Sequence, residues 1–510
     1  MIGYQIRENN AMKVSKLVHS RNNWKGKAKR RGSTIRDLRK ASNAHKKRHA
    51  QDEQKIRRLG DEVAELRLAL NARGCPMETP DPIPYRTLCV LIVVCGIVSF
   101  RSVPRILHVF QPLLRAVVRI PHFTSVIHWT LRVGIAIFRQ VSRIADPWVA
   151  IIDCSIDIGT RKALVVLRVR LSALHHKQGA IGPRDCECIG LEISHTWNGP
   201  LVSAALSRIF ERAGIPRAIV KDGGSDLNKG VKLFCAQRPE HTICTIDDAG
   251  HFAANALKAL FAKSRSFIAF LKTTSQAAAH IRQTDLAWLL PPKLRSKGRF
   301  QGITKVAKWA RKILDLIGGK GKAEDNFDLG KARKTFAGLV KLRSFLDRFC
   351  HTCSITELFL ELMKTRGLNE CTYIEANDVL ATLSERSLVR SRLSAWLEKH
   401  IKIHRALAIG QLPLLVSTDA IESLFGIFKT VVQRNPQAEL NRLIYVIPLL
   451  CGNHSYSDID HALNRISHAD MLHQIEQTVP PTLRQKRTQQ FEQQALSVPK
   501  RGGFQRLDAP

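Results

Sequence analysis

Three short apolar runs between Trp148 and His251 each end at or beside an aspartate. WVAIID closes on Asp153, PRAIVKD on Asp222, and HTICTIDD on Asp247 and Asp248. Burying a strand whose end carries a carboxylate is costly unless a cation or a proton meets it there. The pattern therefore constrains the fold strongly. The strands must bring their acidic ends to a common place where something compensates the charge.

Around these runs the pattern predicts strands over 149–153, 162–170, 189–195, 217–221 and 242–246, and helices over 201–213 and 227–236. Gly159 and Thr160 suit a turn between the first two strands. Three strands, a helix, a strand, a helix and a strand is the order of an RNase H-like α/β domain, expected here over 146–251. From 252 to 411 the periodicity is helical, as in ANALKALFAKSRSFIAFLK and ITKVAKWARKILDLI, and reads as an all-helical insertion. The core resumes over 412–475 with STDAIESLFGIFKTVV, a helix whose apolar face is Ile421, Leu424, Phe425 and Phe428. Asp419 and Glu422 have the spacing of a capping box at its start.

Residues 1–73 read as a basic helix that becomes a coiled coil. Ile56, Leu59, Val63, Leu66 and Leu70 alternate steps of three and four, as an a/d seam does. A solvated helix packed on its own chain fits the same residues. Residues 74–84, GCPMETPDPIP, hold four prolines and form a linker. Residues 85–145 suggest three helices, the last starting near Thr124 and carrying His128, Arg132 and Arg139. That arrangement suits a helix-turn-helix-like DNA-binding domain, with Arg132 and Arg139 toward DNA; an ordinary three-helix bundle has the same pattern. Residues 476–510 are polar and basic and are expected to be a disordered tail.

Charge narrows the partner. The chain of 510 residues has 80 Lys and Arg against 43 Asp and Glu, a formal charge of +37. A polyanion, nucleic acid above all, is the expected partner. The apolar run Thr87–Phe100 is too short to span the roughly 30 Å bilayer core as a helix and reads as a core helix, so no membrane association is expected. The opening MIGYQIRENN is polar and the twelve cysteines follow no framework, which suits reduced thiols in the cytoplasm, at the nucleoid. Cys350 and Cys353, with Cys371 downstream, have zinc-like spacing but no second pair, and Cys186 and Cys188 are too close together to chelate well. There is no P-loop or dinucleotide fingerprint.

The constellation with the most chemistry is Asp153, Asp222 and Glu422. Phosphoryl transfer with two Mg2+ ions needs acidic oxygens holding the ions about 3.5–4 Å apart. Mg2+ keeps water and substrate phosphate in its shell, so a few carboxylates from distant segments suffice. Each residue has a plainer reading: Asp153 as a turn residue, Asp222 within an ordinary DGGSD loop, Glu422 as a cap. Asp157, Asp226 and Asp247 stand close enough to compete, Asp226 with Asp222 above all. Asp248 and His251 form D-x-x-H, where acid and imidazole share one helical face; a helix cap followed by a surface histidine has the same spacing. Lys429 lies seven residues after Glu422, two turns along the same face, within reach of DNA phosphate.

IIDCSIDIGTRKALVVLRV, PRAIVKDGGSDLNKG, DDAGH and AIESLFGIFK together resemble the DDE-type transposases of bacterial insertion sequences. The similarity is to the group with a C/D-x-x-H motif after the second aspartate and a helical insertion before the glutamate, and it runs from about Tyr85 to Val432. It implies Mg2+ (or Mn2+) ligands at Asp153, Asp222 and Glu422, a DNA contact at Lys429, and a supporting role for Asp248 and His251. It further implies cleavage and strand transfer at the ends of a mobile element, double-stranded DNA as partner and target, and a homo-oligomer on that DNA. An RNase H-like nuclease that does not join strands, and a decayed DNA-binding regulator, are the alternatives.

Overall fold

The computed structural model describes residues 85–111, 120–158, 161–177, 180–293, 299–319, 328–432 and 441–497. The expected coiled coil over 1–73, the linker over 74–84 and the end of the tail lie outside the described residues. Three helices open the described chain: α1 (Tyr85–Gly96), α2 (Ser102–Phe110) and α3 (Phe123–Arg139). The strands follow, β1 (Trp148–Ile158) and β2 (Arg161–Arg170), then a short α4 (Leu171–Lys177) and β3 (Glu187–Ser194). Next come α5 (Gly199–Ala213), β4 (Ala218–Lys221), α6 (Ser225–Ala236) and β5 (Cys244–Asp247). All five strands overlap the predicted runs, but β1 continues five residues past Asp153, so that acid lies within the strand rather than at its end.

They form one mixed sheet in the order β3-β2-β1-β4-β5. β1 and β2 pair antiparallel, as do β2 and β3, whereas β1, β4 and β5 run parallel. The hairpin needs only a tight turn, while the parallel pairs need the helical crossovers α5 and α6. This arrangement is compatible with the RNase H-like domain expected from the element order. Alternation along the strands sorts side chains onto two faces. Ala150, Ile152, Leu164, Val166 and Ile219 pack under α5 and α6 with Phe210 and Phe234. Val149, Ile151, Val165, Leu167, Val220 and Ile246 join the larger core on the other face.

Beyond β5 the chain is helical: α7 (Ala249–Phe261), α8 (Arg265–Ile281), α9 (Ile303–Ile317), α10 (Leu329–Thr335), α11 (Ala337–Val340), α12 (Arg343–Arg366), α13 (Glu370–Ala381) and α14 (Leu388–Leu407). Phe261, Phe267, Phe270, Phe345 and Phe349 interlock at its centre, with ring centroids 5.0–6.3 Å apart. The chain returns to the sheet through α15 (Asp419–Val432), which packs against β1. Three helices follow: α16 (Tyr456–Arg465), α17 (His468–Thr478) and α18 (Leu483–Ser497). No helix among the described residues is long and apolar enough to cross a membrane.

Two expectations need correction. The tail continues as α18, because Thr482 and Gln485 cap it reciprocally: the Thr482 amide donates to Gln485 Oε1 (2.8 Å) and the Gln485 amide to Thr482 Oγ1 (3.2 Å). The last helix of 85–145 does not stand free as a groove-reading helix. α3 packs on α1, α16, α17 and the turns Arg442–Val446 and Pro448–Leu450. Its Gly134 approaches the Tyr445 carbonyl so closely that an added Cβ would lie 1.8 Å from that oxygen.

Candidate active site

Register decides how the strand-end acids meet. Ile152 of β1 pairs with Lys221 of β4, and Lys221 pairs with Asp247 of β5. One residue further along each strand stand Asp153, Asp222 and Asp248, in a row across three parallel strands that lie about 4.8 Å apart. The Asp248 amide donates to the Lys221 carbonyl at 2.9 Å, which fixes this level. β1 shifts register between Asp153 and Ile156, and such a bulge re-aims the side chain at its edge. Asp153 is 8% exposed. Asp222 is half-buried and accepts the Gly224 amide at 2.9 Å. Its competitor Asp226 sits exposed in the first turn of α6. The half-buried Cys154 thiol, next along β1, is pushed up by burial first and then by the carboxylates of Asp153 and Asp222.

Asp247, although adjacent, serves another purpose. Its carboxylate receives Lys221 Nζ and Lys399 Nζ, each at 2.6 Å. Its amide donates to His400 Nε2 at 3.0 Å, and its carbonyl accepts Trp396 Nε1 at 3.2 Å. Burial pushes His400 down to about 4, so it stays neutral and accepts through Nε2 while Nδ1 donates to the Trp396 carbonyl. Asp247 thereby ties α14 of the insertion to the edge of the sheet.

Asp248 is 2% exposed, and every bond of its carboxylate supports something else. Oδ1 accepts the His251 amide at 2.6 Å, capping α7, and also faces His251 Nδ1 at 3.0 Å. Oδ2 accepts the Thr418 amide at 2.7 Å and its hydroxyl at 3.0 Å. Burial opposes the charged form of Asp248, but these bonds outweigh it and hold the carboxyl below its ordinary value. His251 is pushed up to about 9, first by its bond to Asp248, against the cost of burial, with Asp222 and Glu422 adding to the effect. Its ring is therefore an imidazolium at neutral pH. Nε2 then donates at 2.8 Å to Gln301, whose amide must present its oxygen.

Glu422 lies on the solvent-facing side of α15, one turn in. The protein packed around it raises its pKa; His251 and Lys364 oppose that rise, and Asp419 and Asp248 add to it. The expected capping box does not form. α15 begins at Asp419 itself, whose carboxylate pairs with Lys364 Nζ of α12 at 2.7 Å, while Ser417 Oγ accepts the Asp419 amide at 3.1 Å. Glu422 is thus free of the cap role. A cleft of about 680 Å³ opens beside it, lined by His251, Gln301, Lys293, Lys305, Lys364 and Glu361 among others. Lys429 is exposed two turns further along α15, on the same side as Glu422.

Asp153 and Asp222 stand side by side beyond the pairing of β1 and β4, and His251 lies within electrostatic reach of both Asp222 and Glu422. Among the described residues, however, no three His, Cys, Asp or Glu side chains converge as ligands of one ion. Arg132 and Arg139 lie elsewhere, Arg132 half-buried and Arg139 exposed. Arg132 donates to the carbonyls of Ile466 (2.5 Å) and Leu463 at the end of α16, and Arg139 donates to Gln474 Oε1 at 2.8 and 3.0 Å. Cys350 and Cys353 are buried on α12, the Cys350 thiol donating to the Ala307 carbonyl at 3.2 Å, while Cys371 is exposed. Sequence reasoning missed Lys364, Thr418 and Gln301. None carries a local signal, because their partners lie 50 to 170 residues away.

No protein-family model matches this chain, and no curated protein matches it. Among solved structures it is similar to the Drosophila P element transposase strand transfer complex. The identity is 13% and the TM-score 0.39, over 77% of this chain and 97% of that one.

Proposed function

We propose that this protein is a DDE-type DNA transposase, cutting DNA at the ends of a mobile element and joining those ends to target DNA through Asp153, Asp222 and Glu422. One observation carries the reading: Asp153, Asp222 and Asp248 stand one position beyond the parallel pairing of β1, β4 and β5, and α15, which bears Glu422, returns after the insertion to pack against β1. The formal charge of +37 supplies the matching affinity for a polyanion.

The residues fit Mg2+ or Mn2+ in kind. Asp153 and Asp222 come from neighbouring strands, and burial raises the pKa of Glu422 despite the opposing charges of His251 and Lys364. Mg2+ retains several waters, so it does not require a closed protein cage. When bound, the ions would activate the attacking hydroxyl and stabilise the leaving oxygen. The remaining work belongs to the chain. Asp248 locks the N-terminus of α15 through Thr418 and holds His251 charged. The imidazolium offers a fixed positive charge beside the acids, where a phosphate bearing developing charge is stabilised. Lys429 reaches the backbone two turns from Glu422. Pairing two element ends calls for a homo-oligomer on DNA.

Asp222→Asn keeps DNA affinity and abolishes Mg2+-dependent strand cleavage in a gel assay with labelled element ends. Undiminished cleavage by that variant rejects the assignment. Adding a target plasmid to the same reaction distinguishes a transposase, which yields joined products, from a nuclease, which yields only cuts.

A further inference from the structure

The end of α12 in the helical insertion meets the segment leading into α15 at a compact junction. Lys364, Gly367 and Leu368, at the end of α12, face Pro413, Leu414 and Asp419. Leu368 and Leu414 form an antiparallel bridge, with the Leu368 amide donating to the Leu414 carbonyl at 3.1 Å and the Leu414 amide to the Leu368 carbonyl at 2.8 Å. Gly367 has φ +65°, and an added Cβ there would lie 2.7 Å from Pro413 Cβ and 3.0 Å from the Leu414 carbonyl oxygen. Three residues earlier, Lys364 Nζ pairs with Asp419 at 2.7 Å, in the first turn of the helix that bears Glu422.

As a contribution to global stability this ion pair is minor, since its side chains are 34% and 45% exposed. Such exposed pairs add little to stability. Its location gives it a different use. Asp248 clamps the start of α15 from the sheet through Thr418, and Lys364 clamps it from the insertion, one residue further on. Lys364 also lines the cleft beside Glu422. The bridge and the ion pair join the end of α12 to the first turn of α15, three residues before Glu422.

We propose that the insertion is a positioning device for Glu422, with Lys364, through its pair with Asp419, as the positioning residue. This rests on the reading of Glu422 as a catalytic carboxylate, and the test separates the two. The full chain carries Lys364→Met, Asp419→Asn, or the exchange of Lys364→Asp with Asp419→Lys. Three properties are measured: single-turnover cleavage across an Mg2+ titration, DNA affinity at fixed salt, and amide hydrogen exchange of the 412–422 segment by mass spectrometry.

Each single variant is expected to exchange faster in that segment alone and to keep the wild-type Tm and DNA affinity. It should also lose roughly 10–100-fold in cleavage, the scale set by misplacing a reacting group by about 1 Å, with half-saturation moved to higher Mg2+. The exchanged pair restores slow exchange and most of the cleavage. Unchanged exchange in 412–422, or no recovery in the exchanged pair, overturns the proposal. If exchange responds as expected while the wild-type chain and all variants fail to cleave, the mechanical coupling stands and the catalytic reading of Glu422 falls.

Discussion

At the scale of single residues, four neighbouring acids reach four different ends. Asp222 retains one backbone bond and faces the site, Asp247 is consumed by two lysines, Asp248 by His251 and Thr418, and Asp419 by Lys364. Their sequence contexts differ little, so only their partners tell them apart. His251 makes the distinction measurable. Its ordinary pKa of 6.5 rises to about 9 in the folded chain. The stability it contributes is fully present below about pH 6.5 and is lost as pH rises through about 9. His251→Gln should therefore lower Tm at pH 6 relative to the wild type, with the gap closing above the folded-state pKa. A gap that persists undiminished at high pH would show that the imidazolium is not its source.

At the scale of elements, the strands were legible because a buried strand writes itself as an apolar run. The end of the run, where the carboxylate sits, is visible in the same few residues. Helix α15 was legible in its periodicity, yet its cap was misread: Asp419 and Glu422 have the right spacing, but a helix that starts at Asp419 leaves neither of them at the cap position. Helix α3 was misread more seriously. Its amphipathic pattern allowed a free basic face, whereas the half-buried Arg132 donates to backbone carbonyls at the end of α16 and the exposed Arg139 to Gln474 of α17. Gly134 marks where α3 meets the Arg442–Val446 turn. Gly134→Ala should unfold the protein at lower denaturant, by at least the roughly 1–3 kcal/mol that overpacking costs, because the methyl would fall 1.8 Å from the Tyr445 oxygen. In an exposed helix interior the same change would stabilise by up to about 1 kcal/mol, so the sign of the measured shift is decisive.

At the scale of the whole molecule, charge dominates. With +37 on the chain, affinity for duplex DNA should fall by roughly 10³–10⁵-fold between 50 and 200 mM salt if six to ten phosphates are engaged. Anisotropy titrations across KCl concentrations measure this slope. Lys429→Ala should reduce its magnitude by about one unit, as expected for the loss of one phosphate contact. The sequence by itself determined the charge, the five strands, the acidic residues at their ends and the helical nature of the segment between β5 and Glu422. Each of these is written within a few consecutive residues, as composition, as alternation or as periodicity. The tertiary structure alone decided which acid remains available at the site, what α3 faces, and that the insertion grips the helix of the glutamate. Those outcomes depend on pairings between residues 26 to more than 300 positions apart, and a side chain carries no local mark of the distant partner that will claim it.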